Sequence, residues 1–334
     1  MASFSNKTND NPIKNSESVV NDSDSPAKVE NLSEVSSFDE LDIPESLLRG
    51  IYSHGFENPS PIQGKAINPV ISGRDVIAQA QSGTGKTGSF LIGSMARVDL
   101  SIEQPQVIVL CPNRELANQI FYNFESLNSY LGIKGALIMG GTGVEDNFKA
   151  LDGGAQFIVG TPGRVYDMMK RYVLKTSKLK TFVMDEADEM LSKGFKDQVY
   201  EIFQFVPPNT QTCIFSATMP PHAIEITEKF MKNPVSLLIK NEMVTLDGIS
   251  QYYLGIEQEN WKVATLFDLY DRLKINQTII FVNSKRKAEV LKEQLEANNF
   301  VISIIHANMS QVQRDKTMKS FRTGESRILI ATDV

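Results

Sequence analysis

The chain has 334 residues, enough for two domains of ordinary size. Hydrophobic residues make up 41%, as in a packed globular protein, yet no apolar run approaches the ~18 residues of a membrane span and the polar N-terminus lacks a signal-peptide core; a soluble intracellular protein is expected. The net charge of −6 argues against holding nucleic acid by bulk attraction and leaves any such contact to a local track and backbone amides.

Residues 1–37 contain nine Ser and six Asn and carry three lysines against six acidic residues. With so little to bury they cannot offset the entropy of ordering, and a disordered polar tail is expected. From Phe38 onward short β-branched runs alternate with helix-length amphipathic stretches. Strands are expected at Val76–Gln79, Val107–Cys111, Ala136–Met139, Phe157–Val159, Thr181–Met184, Thr212–Phe215 and Val235–Ile239, with helices such as Thr87–Val98 and Arg114–Leu131 between them. Nearly continuous hydrophobicity marks strands buried on both faces, so residues 38–239 are read as an α/β domain: a parallel sheet with helices on both faces. Ligands in such sheets bind at the carboxyl ends of the strands. Residues 240–250 are polar and read as a linker. A second α/β unit, 251–334, is expected from strand patterns at Tyr252–Ile256, Thr278–Val282, Val301–Ile305 and Arg327–Ala331, with a helix at Lys285–Asn298. Because it stops just after a strand, this unit reads as incomplete. Cys111 and Cys213 sit inside strand-like runs and read as small buried hydrophobes; His54, His222 and His306 have no zinc-site spacing.

Chemistry concentrates after two strands. Ala80-Gln81-Ser82-Gly83-Thr84-Gly85-Lys86-Thr87 follows the first and opens a helix. Such a turn aims backbone N–H groups at a phosphate, places Lys86 on the β- and γ-phosphates and offers the Thr87 hydroxyl to Mg²⁺. The stringent pattern begins with glycine, where this chain has Ala80. Val183-Met184-Asp185-Glu186-Ala187-Asp188 ends another strand in carboxylates: Asp185 to hold the metal through its water shell, Glu186 to orient or deprotonate the attacking water. Upstream, in Gly55-Phe56-Glu57-Asn58-Pro59-Ser60-Pro61-Ile62-Gln63, a glutamine amide that both donates and accepts can read the adenine edge, and Phe56 can stack on its ring. Taken singly, Phe56 could equally be a core side chain and Gln63 a solvated helix residue.

These residues resemble the DEAD-box RNA helicase family, most closely its translation-initiation factor 4A branch. Gly55–Gln63 resembles the family's Q motif, with Phe38 at its upstream aromatic position; Pro112-Asn113-Arg114-Glu115-Leu116-Ala117 resembles motif Ia with Asn113 in place of threonine. Gly140-Gly141, Thr161-Pro162-Gly163-Arg164, Ser216-Ala217-Thr218, Ile279–Asn283, the Gln311 and Arg314 segment and Arg327–Val334 resemble further motifs in order. The resemblance implies two RecA-like domains, the second incomplete, that use ATP and Mg²⁺ to separate RNA strands locally. It implies that Phe38, Phe56, Gln63, Ala80 to Thr87 and Asp333 bind nucleotide, that Lys86, Asp185 and Glu186 are catalytic, and that Thr87 and Asp185 serve the metal. Pro112, Arg114, Gly141, Thr161, Gly163, Arg164, Asn283 and Thr332 would line a path for single-stranded RNA, through phosphate and sugar contacts that carry no sequence information. Asp188 would bond with Ser216 and Thr218 and couple the ATP site to RNA. A cytoplasmic monomer working with translation-initiation scaffold proteins is implied, with no membrane. The family's motif VI arginines are missing from this sequence, and an arginine finger is commonly worth about 10³–10⁵ in rate. The expectation is therefore poor hydrolysis and no duplex unwinding by the 334-residue chain, the alternative to an active helicase being an RNA- or partner-binding fragment. A DNA helicase or P-loop kinase fits neither the adenine motif nor Thr161–Arg164.

Overall fold

The computed structural model describes residues 34–192, 194–219, 221–238 and 249–333, which divide into two compact units, 34–238 and 249–333. Residues 1–33 of the tail expected over 1–37, and most of the linker expected at 240–250, lie outside the described residues. Order begins before Phe38, however. Val35 is buried and its N–H donates to the Gly64 carbonyl at 3.0 Å, because its side chain completes the apolar pocket beneath the second helix.

The first unit carries seven strands: β1 (Val76–Gln79), β2 (Val107–Leu110), β3 (Gly135–Ile138), β4 (Phe157–Gly160), β5 (Thr181–Asp185), β6 (Gln211–Ser216) and β7 (Val235–Leu238). All pair in parallel in the order β3-β4-β2-β5-β6-β1-β7, with β1 centred between β6 and β7. Between them run α1 (Glu45–Ser53), α2 (Pro61–Ile71), α3 (Lys86–Met95), α4 (Arg114–Leu127), α5 (Val144–Asp152), α6 (Pro162–Lys170), α7 (Ala187–Ser192), α8 (Lys196–Phe203) and α9 (Pro221–Phe230). Alternation along a strand sends neighbours to opposite faces. Val107 and Val109 accordingly join Ile51, Ile67, Leu91 and Phe124 in one core, while Ile108 and Leu110 join Met168, Val199, Ile202 and Ile226 in the other. That two-sided burial is why β2, β4, β5 and β6 read as unbroken hydrophobic runs. Cys111 and Cys213 are both free and buried.

Local chemistry sets the helix starts that matter for the site. The Ser60 hydroxyl accepts from the Gln63 N–H while the Gln63 side-chain Oε1 accepts from the Ser60 N–H, a capping box with Pro61 at the first helical position. At α4 the Asn113 side-chain Oδ1 accepts from Leu116 N–H at 2.9 Å, so the residue standing where the family has threonine still caps.

The second unit pairs β8 (Thr278–Phe281), β9 (Ile302–Ile305) and β10 (Ile328–Ala331) in parallel in the order β8-β10-β9, with α10 (Trp261–Arg272), α11 (Lys285–Glu296) and α12 (Gln311–Arg322). Its apolar packing is smaller: Ala288, Leu291, Leu295, Ile328 and Ile330 on one face, Ile305, Phe321, Leu329 and Ala331 on the other. The strand expected at Tyr252–Ile256 does not form. Tyr252 and Tyr253 are 90% and 95% exposed, and a β-prone run without a neighbouring ladder has nothing to pair with. Among the described residues no helix is long and apolar enough to cross a membrane.

Candidate functional site

Everything chemical in the first unit lies past the carboxyl ends of its strands. After β1 the chain turns through Gly83 at φ +82° and Gly85 at φ +100°, conformations that favour glycine, and enters α3 at Lys86. Thr84 Oγ1 donates to the Gln81 carbonyl at 2.7 Å, holding the turn closed on itself. Ser82 and Gly83 are exposed at its crest, Thr87 is half-buried, and Ala80 is buried with its N–H donating to the Ser216 carbonyl. Ala80 packs in the apolar core, where a small side chain serves.

Lys86 is 5% exposed, and its Nζ donates to Glu186 Oε1 at 3.3 Å. The carboxylate reaches it because Glu186 takes φ +48° between β5 and α7, a left-handed geometry that costs free energy in any residue with a Cβ. Asp185, one residue earlier, is 2% exposed. Burial raises its carboxyl, the adjacent Glu186 charge raises it further and Lys86 pulls the other way; the result is about 7. A divalent cation beside such a group reverses the shift. Among the described residues no three His, Cys, Asp or Glu side chains gather as a metal cage. One carboxylate with the Thr87 hydroxyl near a phosphate cradle instead fits Mg²⁺, which keeps most of its waters.

Gln63 is 4% exposed, so it is no solvated helix residue; its Nε2 donates to the Gly85 carbonyl at 3.3 Å. Phe56 is half-buried and stacks on the fully buried Phe38, centroids 6.2 Å apart and planes 22° from parallel. The Q-motif side chains and the phosphate turn can approach this closely because α3 carries Gly88. A Cβ there would stand 2.5 Å from Gln63 Nε2 and 3.2 Å from the Phe56 ring. Sequence reading passed over Gly88, since a glycine in the first turn of a helix signals nothing until its neighbour is known.

Asp188 ties β5 to β6. Its Oδ2 accepts from Thr218 N–H at 3.0 Å and Thr218 Oγ1 at 2.7 Å, and its own N–H donates to Ser216 Oγ at 3.2 Å. Burial pushes its carboxyl up, but the hydrogen bonds from Thr218 and Ser216 prevail and hold it below the ordinary value.

A second set of residues follows β2, β3 and β4. Pro112 is buried, while Arg114 is half-buried and lies so close over Gly141 (φ +87°) that any Cβ there would overlap its guanidinium. Thr161 N-caps α6 and its N–H donates to the Ile138 carbonyl; Gly163 is exposed. Arg164 Nη1 donates to the Thr142 carbonyl at 3.1 Å and Asn147 Oδ1 at 2.6 Å, bracing two of these loops together. Asn147, buried on α5, is a partner that only the folded chain reveals.

In the second unit Asn283, Thr332 and Asp333 meet past the ends of β8 and β10, where with Phe281, Val282 and Ala331 they line an open cleft of about 420 Å³. Asn283 and Asp333 are exposed, and the Thr332 N–H donates to the Ile305 carbonyl.

The sequence matches the DEAD/DEAH box helicase family over residues 60–226 and the helicase conserved C-terminal domain over residues 261–334. It is 51% identical over 300 residues to the ATP-dependent RNA helicase eIF4A of Chaetomium globosum, covering 90% of this chain and 76% of that one. To eukaryotic initiation factor 4A of Drosophila melanogaster it is 50% identical over 298 residues, 89% and 74% of the two chains. Among solved structures it resembles S. cerevisiae Dbp5 bound to RNA and ADP BeF3, with a TM-score of 0.81 and 37% identity over 89% of this chain and 76% of that one. A DEAD box protein from Methanococcus jannaschii aligns at TM-score 0.60 and 35% identity, covering 90% and 81%. The parallel sheets are therefore RecA-like, and the chain belongs to the DEAD-box family of ATP-dependent RNA helicases, in its eIF4A branch.

Proposed function

We propose that the chain binds ATP at the β1–α3 turn and couples its hydrolysis to local separation or remodelling of RNA strands, in work related to translation initiation. The observation that carries this reading is the convergence of Lys86, Asp185 and Glu186 behind a glycine-rich turn, with Gln63 reaching the same turn from α2. Gln63 and Phe56 select adenine, with Phe38 backing the Phe56 ring. Backbone amides from Gln81 to Gly85 cradle the phosphates, and Lys86 exchanges its Glu186 partner for phosphate oxygens. Glu186, relieved of Lys86, orients the attacking water and accepts its proton. Thr87 and Asp185 would hold Mg²⁺, which when bound neutralises charge on the phosphates. Asp333 extends the nucleotide contacts.

RNA contacts are assigned to Pro112, Arg114, Gly141, Thr161, Gly163 and Arg164 in the first unit and, separately, to Asn283 and Thr332 in the second. Contacts to phosphate and sugar let an acidic protein hold RNA along a narrow track, and the 2′-hydroxyl separates RNA from DNA. Asp188, bonded to Ser216 and Thr218, makes the end of β5 and the loop after β6 move together, which supports a role in coupling. The eIF4A relationship supports reading the chain as acting in the cytoplasm with translation-initiation scaffold proteins as partners, and we propose that it does so as a monomer.

The test is ATP turnover by the 334-residue chain with and without single-stranded RNA, beside Glu186→Gln. RNA-stimulated turnover lost in the variant would support the proposal and overturn the expectation of poor hydrolysis drawn from the missing motif VI arginines. RNA and ATP binding with no turnover above the variant would instead make the chain a binding fragment.

A further inference from the structure

His54 is the C-cap of α1 and stands between two elements. Its Nδ1 lies 2.7 Å from the Ser126 hydroxyl on α4, and its ring packs edge-on against Phe56, centroids 4.7 Å apart at 75°. Phe56 thus has Phe38 stacked behind it, Gly88 of α3 in close approach, and the imidazole edge on a third side. The backbone fixes where this ring starts: Gly55, just before it, takes φ +94°, and the Phe56 N–H donates to the Ile51 carbonyl at 3.3 Å. Side-chain contacts then set the ring's seat, and among the described ones His54 is itself anchored by a hydrogen bond to another helix.

We infer that His54 is a positioning residue for Phe56: the edge contact between the two rings holds Phe56 in place for the base, and Ser126 fixes the imidazole. This rests on the reading of Phe56 as the adenine-stacking side chain. Edge-to-face geometry suits a neutral ring against the π-face, and burial keeps His54 on the neutral side by lowering its pKa. Both parts are needed. A ring without the Ser126 bond can swing, and a bond without the ring leaves Phe56 unsupported.

The experiment measures affinity for Mg·ATP and Mg·GTP by calorimetry on the 334-residue chain. His54→Ala is expected to weaken ATP binding about two- to tenfold while GTP binding stays put, lowering the ATP/GTP ratio. His54→Phe, which restores the ring edge, recovers most of that ratio, and Ser126→Ala gives a smaller loss in the same direction. A merely structural role would lower the melting temperature and leave the ratio alone. An unchanged ratio in His54→Ala, with Phe56→Ala lowering it, overturns the inference and leaves the adenine reading intact; an unchanged ratio in Phe56→Ala overturns both. Should His54→Ala fail to fold, Ser126→Ala decides, a lowered ratio supporting the inference and an unchanged one overturning it.

Discussion

The two units use the same strand-and-helix grammar to different ends. In the first, the polar groups of the site are interior groups: Gln63, Lys86 and Asp185 are 4%, 5% and 2% exposed, Gln63 and Lys86 each held by a residue from another part of the chain and Asp185 accepting from the Glu186 N–H. In the second, Asn283 and Asp333 are exposed at an open cleft, and the strand beside them leaves Ile279 and Phe281 46% and 76% exposed. A seven-stranded sheet covered on both faces can position charges in advance and bear the cost of burying them. A three-stranded sheet with a small core has less interior in which to do so.

The comparison can be broken most directly by unfolding. Burial of each large apolar side chain contributes about 1.5–3 kcal/mol, and the first unit holds far more of them. Urea titration followed by circular dichroism and Trp261 fluorescence, the single tryptophan and part of α10, should show the fluorescence transition well before the bulk of the helical signal is lost. Coincident transitions would mean that the two units stabilise one another.

Next in size is Glu186, the proposed general base. Glu186→Gln should lower turnover by about 10²–10⁴ while ATP affinity changes little, as a general base requires; a phosphate-release assay under saturating RNA reads it. Equal rates would remove Glu186 from the water.

Asp185 makes the nucleotide-free protein sensitive to pH. Its folded pKa of about 7 lies above the ordinary carboxylate value, so between the two the folded chain keeps a proton that the unfolded chain releases. Stability therefore falls as pH rises through that window, by about 2 kcal/mol from about pH 5.5 to 7.5. Asp185→Asn should flatten that slope in thermal melts, and an unaltered slope would show that Asp185 does not carry the proton.

Removing Asp188 with Asp188→Ala leaves the Thr218 N–H and hydroxyl without their acceptor and should cost about 1 kcal/mol, since the site is partly open to water. The informative readout is RNA stimulation of ATP turnover, which should drop while basal turnover holds. Smallest of all, Gly88→Ala should weaken ATP binding a few-fold by displacing the Gln63 amide; calorimetry showing wild-type affinity would mean the amide can step aside without cost.

The cores explain how much was legible beforehand. Val107–Leu110 and Thr181–Asp185 were read within a residue of their observed bounds, because strands buried on both faces must be continuously apolar. The phosphate turn was equally plain, since glycine, lysine and threonine stand consecutively between a strand and a helix. Tyr252–Ile256 shows where that logic stops: propensity is local, but a strand exists only when a neighbour supplies its ladder. Val35 fails in the opposite sense, a lone apolar residue in a polar stretch that finds a pocket.

What the sequence by itself determined is the order of elements and the glycine-rich turn and carboxylates that follow two of the strands, because these depend on side-chain period and on residues adjacent in the chain. Only the tertiary structure decided that Gly88 admits Gln63, that Arg164 braces Thr142 and Asn147, and that Ser126 anchors the His54 ring beside Phe56. Gly88 and Gln63, Arg164 and its partners, and His54 and Ser126 stand far apart along the chain, and close packing alone brings them together.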